Sequence, residues 1–146
     1  MKFICKYFRI ITALFLIISF AVPVCAAEAT QTVMPLASDY ITSYNTYICD
    51  MGNGEFQIWF DVMGTSTMDE LGTLSIMLYE VNRDGSLTWL KTFLPEDNPS
   101  MLRYNYYFHC SHVSFQGSSS KTYTAYVCIW AGKNGNGDTR YMWATE

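Results

Sequence analysis

The stretch Tyr123-Thr124-Ala125-Tyr126-Val127-Cys128-Ile129-Trp130-Ala131 decides the fold class. Tyr123, Ala125, Val127, Ile129 and Ala131 alternate with Thr124, Tyr126, Cys128 and Trp130. A period of two belongs to a strand with one buried face, whereas a helix groups residues three and four apart. No sustained stripe of helical spacing follows Pro23. Turn-formers bound the stretch: Gly117-Ser118-Ser119-Ser120 precede it, and residues 132–137, rich in Gly and Asn, follow.

The same pattern repeats outward. Residues 74–82 and 86–94 flank Arg83-Asp84-Gly85, and Asp-Gly between apolar runs is a strong hairpin signal. Residues 44–49 and 55–62 flank Asp50-Met51-Gly52-Asn53-Gly54 in the same way. Residues 104–115 and 138–145 complete seven runs heavy in Tyr, Phe, Trp, Thr, Val and Ile, which fit a pleated, half-buried surface. Seven short strands at this spacing predict an all-β antiparallel sandwich, one domain over residues 40–146. Asp69 and Glu70, acids that favour a helix N-terminus, predict a helical turn over residues 67–71.

With Lys121 and Thr122 before it and Gly132 after it, the central stretch resembles the sixth strand of fibronectin type III and related immunoglobulin-like sandwiches. The resemblance implies that Tyr123 is a corner tyrosine whose hydroxyl bonds back to the backbone just upstream. Residues 74–93, a strand, an Asp-Gly turn and a return strand with Trp89, resemble the middle of such domains. The proline-rich entry typical of fibronectin repeats is missing. The whole chain also resembles a group of small, uncharacterised secreted proteins of Gram-positive anaerobic bacteria. The shared segments are Gly54-Glu55-Phe56-Gln57-Ile58-Trp59-Phe60-Asp61-Val62, Trp130-Ala131-Gly132-Lys133 and Gly137-Asp138. That likeness implies no activity and no site residue.

The N-terminus reads as a signal peptide over residues 1–27. Basic Lys2, Lys6 and Arg9 precede the apolar run 10–22, Pro23 breaks it, and small Ala26 and Ala27 follow. The run is shorter than the roughly 20 residues a membrane crossing needs. The expected product is secreted, with membrane contact only through the signal segment before cleavage. Residues 28–39, low in charge, read as a flexible lead-in.

Residues 28–146 carry 6 basic and 13 acidic side chains, a net charge of −7 that repels a phosphate backbone and excludes nucleic acid as a partner. His109-Cys110-Ser111-His112 is the most reactive-looking cluster, but on a strand His109 and His112 point to opposite faces. Cys110 and His112 alone are too few for a metal. No Gly-x-Ser-x-Gly elbow is present, and most acids fall in turns. Asn134, Asn136 and Asp138 lack the later bidentate acid of a calcium loop and read as a hairpin turn. No catalytic residue, metal or cofactor is expected. A cut at residue 26 or 27 leaves Cys49, Cys110 and Cys128, and the reading counts on no disulfide among them.

If Tyr123, Ala125, Val127, Ile129 and Ala131 face the core, then Tyr126, Cys128 and Trp130 face outward. A hairpin centred near residues 135 and 136 sets Trp130 opposite Tyr141 and Cys128 opposite Trp143. The expected site is therefore an outer surface of Tyr126, Trp130, Tyr141 and Trp143, suited to a glycan or to an envelope or host protein. Two structural alternatives stand beside it: the N-terminal segment covers the rings, or a one-residue slip buries Trp143. The functional expectation is a secreted, non-catalytic ligand- or partner-binding module. A structural or self-associating extracellular protein is the alternative, and a small secreted hydrolase the remote one. The export reading is checked by intact mass: secreted material should begin at Ala27 or Glu28, and a retained apolar segment on membranes would contradict it.

Overall fold

The computed structural model describes residues 38–146; the expected signal peptide and nearly all of the lead-in lie outside the described residues. Six antiparallel strands form: β1 (Ile41–Gly52), β2 (Glu55–Val81), β3 (Leu87–Phe93), β4 (Leu102–Gln116), β5 (Thr122–Lys133) and β6 (Asn136–Thr145). One 3₁₀ turn, Pro99–Met101, precedes β4. The all-β antiparallel expectation holds, but the count of seven strands is corrected to six. The expected strands 55–62 and 74–82 are one strand of 27 residues. The residues between them keep ladder partners: Gly64 on β1, then Met68, Glu70, Leu71 and Gly72 on β4.

The helical turn expected over residues 67–71 is likewise strand. Local preference lost to tertiary partners for the two acids. Asp69 Oδ2 accepts the Asn134 backbone N–H at 2.7 Å, and Glu70 Oε2 accepts the Trp130 indole N–H at 3.1 Å. Both acids tie β2 to the far end of the β5–β6 hairpin instead of capping a helix.

β2 is the spine of the sheet. β4 and then β3 pair along one of its edges, β1 and then β5 along the other, and β6 pairs outside β5. At Glu70, Leu71 and Gly72 the strand has β4 on one side and β5 on the other. Gly72 permits this crowding. Its φ is +147°, and a Cβ there would lie 2.0 Å from the Met101 carbonyl oxygen, so only glycine lets β4 enter at this point.

Extended, β2 would span roughly 90 Å. It curls instead: Tyr123 pairs with Glu80 near the end of β2, yet its ring lies 5.0 Å from that of Phe56 near the start. Two arms therefore face each other, one made of β1, residues 55–63 of β2 and β4, the other of β3, residues 70–81 of β2, β5 and β6. β1 also packs against β5 and β6. One hydrophobic core lies between, with Phe56, Ile58, Phe60 and Val62 from the first arm against Leu71, Ile76, Leu78, Val127 and Ile129 from the second. Alternation over residues 56–64 and 76–79 of β2 and along β5 drives this closure, because each of these segments buries an apolar face.

Tyr123, Ala125, Val127, Ile129 and Ala131 are all buried, as the alternation requires. Phe56, Phe115 and Tyr123 form a three-ring cluster with centroids 5.0–5.2 Å apart. Gly117 packs against it, since a Cβ there would meet Phe56 and Tyr123 at 2.9 Å. The Ser118 backbone N–H donates to the Tyr123 hydroxyl at 2.8 Å, five residues upstream, as a corner tyrosine does. Removing that acceptor leaves a half-buried N–H without its partner. Tyr123→Phe should therefore cost about 1 to 2 kcal/mol, read as a lowered urea midpoint at unchanged slope. An unchanged midpoint would contradict the role given to this hydroxyl.

Candidate functional site

The second arm's outer face is set by the β5–β6 hairpin. The expected six-residue loop, 132–137, is instead a two-residue turn: Asn134 and Gly135 take φ of 54° and 76°, the mirror-image geometry that suits the twist of the flanking strands. The hairpin centre therefore shifts by one residue, and the register by two. Tyr126 pairs with Trp143, Cys128 with Tyr141 and Trp130 with Thr139. The expected pairs, Trp130 with Tyr141 and Cys128 with Trp143, are corrected accordingly. A shift of two preserves the face, so Tyr126, Trp130, Tyr141 and Trp143 still point outward together.

Three of the four make a continuous ring cluster. Tyr126 stacks on Tyr141 with centroids 5.5 Å apart and planes 9° apart, and meets Trp143 at 4.8 Å. Tyr141 and Trp143 are 58% and 47% exposed. Trp130 is elsewhere. It lies flat over Gly132 and Gly137, where added Cβ atoms would meet its ring at 2.8 and 2.3 Å, and its N–H is engaged by Glu70. Trp130 thus anchors the hairpin to β2 and is half-buried.

Two rings that the sequence reading left out complete the surface. Tyr79, in phase with Met77 on the outer side of β2, lies 5.8 Å from Trp143. Trp89 pairs with Tyr79 from β3 and is 59% exposed. The signal was present in the Asp-Gly hairpin: with Ile76 and Leu78 inward, Tyr79 must face out, and the turn at residues 83–85 sets Trp89 across from it. What was missing was the adjacency of this hairpin to the 123–131 strand.

Cys128 is buried at the base of this surface, on the outer face, with its thiol pushed up by burial. It does not meet Cys110, and both are free thiols.

The first arm carries the reactive-looking cluster. His109 faces inward: buried, edge-on to Phe60, its Nε2–H donating to the Ser100 carbonyl at 2.8 Å, with burial pushing its pKa down. His112 faces outward and lies on Trp59 at 4.5 Å, which in turn stacks on Tyr47. The two histidines do lie on opposite faces. Cys110 shares the outer face with His112 and pairs with Asp61. Burial, and then the Asp61 carboxylate, push the Cys110 thiol up, the reverse of what an activated nucleophile needs. Burial also pushes Asp61 up. Among the described residues no cluster of three His, Cys, Asp or Glu could hold a metal ion, and no helix is long and apolar enough to cross a membrane.

An open cleft of about 530 Å³ lies where β3 and the end of β4 part, lined by Glu55, Leu78, Leu90, Lys91, Ser114, Phe115 and Gln116. It enters between the arms, away from the ring surface. No protein-family model, curated protein or solved structure matches this chain.

The two tryptophan and tyrosine environments predict opposite outcomes. Tyr141→Ser should leave the urea midpoint within about 0.5 kcal/mol of wild type, as exposed positions do. Trp130→Ser should cost about 2 kcal/mol or more, because it uncovers Gly132 and Gly137 and strips Glu70 of its donor. The reverse ordering would show the hairpin register to be wrong.

Proposed function

We propose that the protein is a secreted, non-catalytic module that binds a ligand or partner through the outer face of its second arm. The observation that carries this reading is the contiguous set of Tyr79, Tyr126, Tyr141 and Trp143, with Trp89 beside it. Such rings offer large, flat contact area, and a surface that leaves them in water without a role is uncommon. Tyr126, Tyr141 and Trp143 are retained as site residues, Tyr79 and Trp89 are added, and Trp130 becomes a positioning residue. The fine architecture proposed is the immunoglobulin-like sandwich. Its support is the pairing: β1–β2–β4 corresponds to one sheet and β3–β2–β5–β6 to the other, the two halves of β2 standing for two strands.

A second reading, self-association, is favoured by one observation. Tyr104, Tyr106, Tyr107 and Phe108 are all exposed on β4, whose ladder partner among the described residues is β2 alone. An aromatic strand with a free edge is a template for pairing with another copy.

One comparison separates the two. Wild type, Trp143→Ala and Tyr107→Lys are probed against an array of glycans and envelope proteins, and their masses followed by light scattering across concentration. The binding-face reading expects array signals that Trp143→Ala abolishes and Tyr107→Lys spares. Signals indifferent to Trp143→Ala, with a dimer that Tyr107→Lys dissolves, would replace it with self-association.

A further inference from the structure

We infer that the ligand of the aromatic face is a neutral, extended polysaccharide; this rests on the binding-face reading above. The first argument is charge. The register places on one outer face the β2 residues from Gly72 to Val81 that pair with outward positions of β5, together with their β3 and β6 neighbours. None of these is Asp, Glu, Lys or Arg. In a chain whose residues 28–146 hold 13 acids and 6 bases, an uncharged four-strand surface is a selective feature. Glu70 borders the face at the row of Gly132, but its carboxylate is engaged by the Trp130 indole. Nothing there would hold an anionic sugar or a phosphate, and nothing would repel a neutral one.

The second argument is shape. Trp89, Tyr79, Trp143, Tyr126 and Tyr141 lie together on four adjacent strands, which at roughly 4.8 Å per strand makes a ring surface about 15 Å across. Its three most exposed rings, Trp89, Tyr141 and Trp143, together offer an area on the order of 250–400 Å², below the ~800 Å² per partner of a stable protein interface. A small ring surface of this span matches the apolar faces of successive pyranoses in an extended chain. The third argument is the surround. The rings sit among Thr92, Thr139 and Thr145. Hydroxyls beside rings suit a ligand that is apolar on its faces and hydroxylated at its edges.

The test is retention of the protein on insoluble cellulose, chitin and xylan, and on carboxymethylated cellulose, which keeps the backbone and adds charge. Each is measured at about 50 and about 500 mM NaCl. Retention on at least one neutral polysaccharide, equal at both salts, is expected, with a loss of roughly tenfold or more in Trp143→Ala. Should Trp143→Ala fail to fold, Trp89→Ser, on a different strand, serves in its place with the same expectation. Retention on the carboxymethylated matrix alone, or retention lost at high salt, overturns the inference. No retention on any matrix, while Trp143→Ala still abolishes binding of an envelope protein, overturns it and leaves the binding face standing. Neutral retention that neither Trp143→Ala nor Trp89→Ser weakens overturns both.

Discussion

The Met101 carbonyl oxygen occupies the space that a side chain at position 72 would need, and this close approach of two backbones organises the whole sheet. Because residue 72 is glycine, β4 can enter its ladder at the very residues where β5 enters from the other side. β2 thus passes from one set of neighbours to another without a break. Its first half belongs to β1 and β4, its second to β3 and β5, and the curl between them turns two apolar faces toward a shared core. A strand that ended at residue 63 and restarted at 74 would leave the amides between them to find partners in water or in side chains.

That continuity also explains how the candidate face is positioned. The bend of β2 carries Asp69 and Glu70, and these reach the turn and the Trp130 ring of the β5–β6 hairpin. The hairpin is held at its tip by the spine and along its length by the β5 ladder. Its outward rings therefore sit on a hairpin fixed to the spine at two places, and Tyr79 joins them directly from β2. The preorganisation is backbone-made: register decides which rings meet, and ring contacts only refine their tilt.

Much of this was readable in the sequence, and the failures have physical causes. Alternation over residues 123–131 identified the inward set residue by residue, because period two is strict wherever a face is buried. Tyr123, with a short polar turn before it, announced its own hydroxyl bond. The acids at 69 and 70 misled because helix-end preference is worth a few tenths of a kcal/mol and yields readily to tertiary hydrogen bonds. The hairpin register was off by two because the loop was read from its glycines, whereas only Asn134 and Gly135 leave the strand conformation. Parity survived that error, so the face was right although the pairs were wrong. Trp130 was misassigned because no local pattern shows that Gly132 and Gly137 open a bed for its ring. Trp89 and Tyr79 were missed for want of the β2–β5 neighbourhood, a long-range pairing that no short motif reports.

The claim on which this account turns is that β2 is unbroken at its crossover, and amide hydrogen exchange at Glu70, Leu71 and Gly72 measures it directly. Paired on both edges, these amides should exchange only through global unfolding, with protection equal to that of Ile58 and Val127 in the core strands. Fast, locally gated exchange at these three positions, with protection confined to residues before 64 and after 74, would show two separate strands and a loop, and would contradict it.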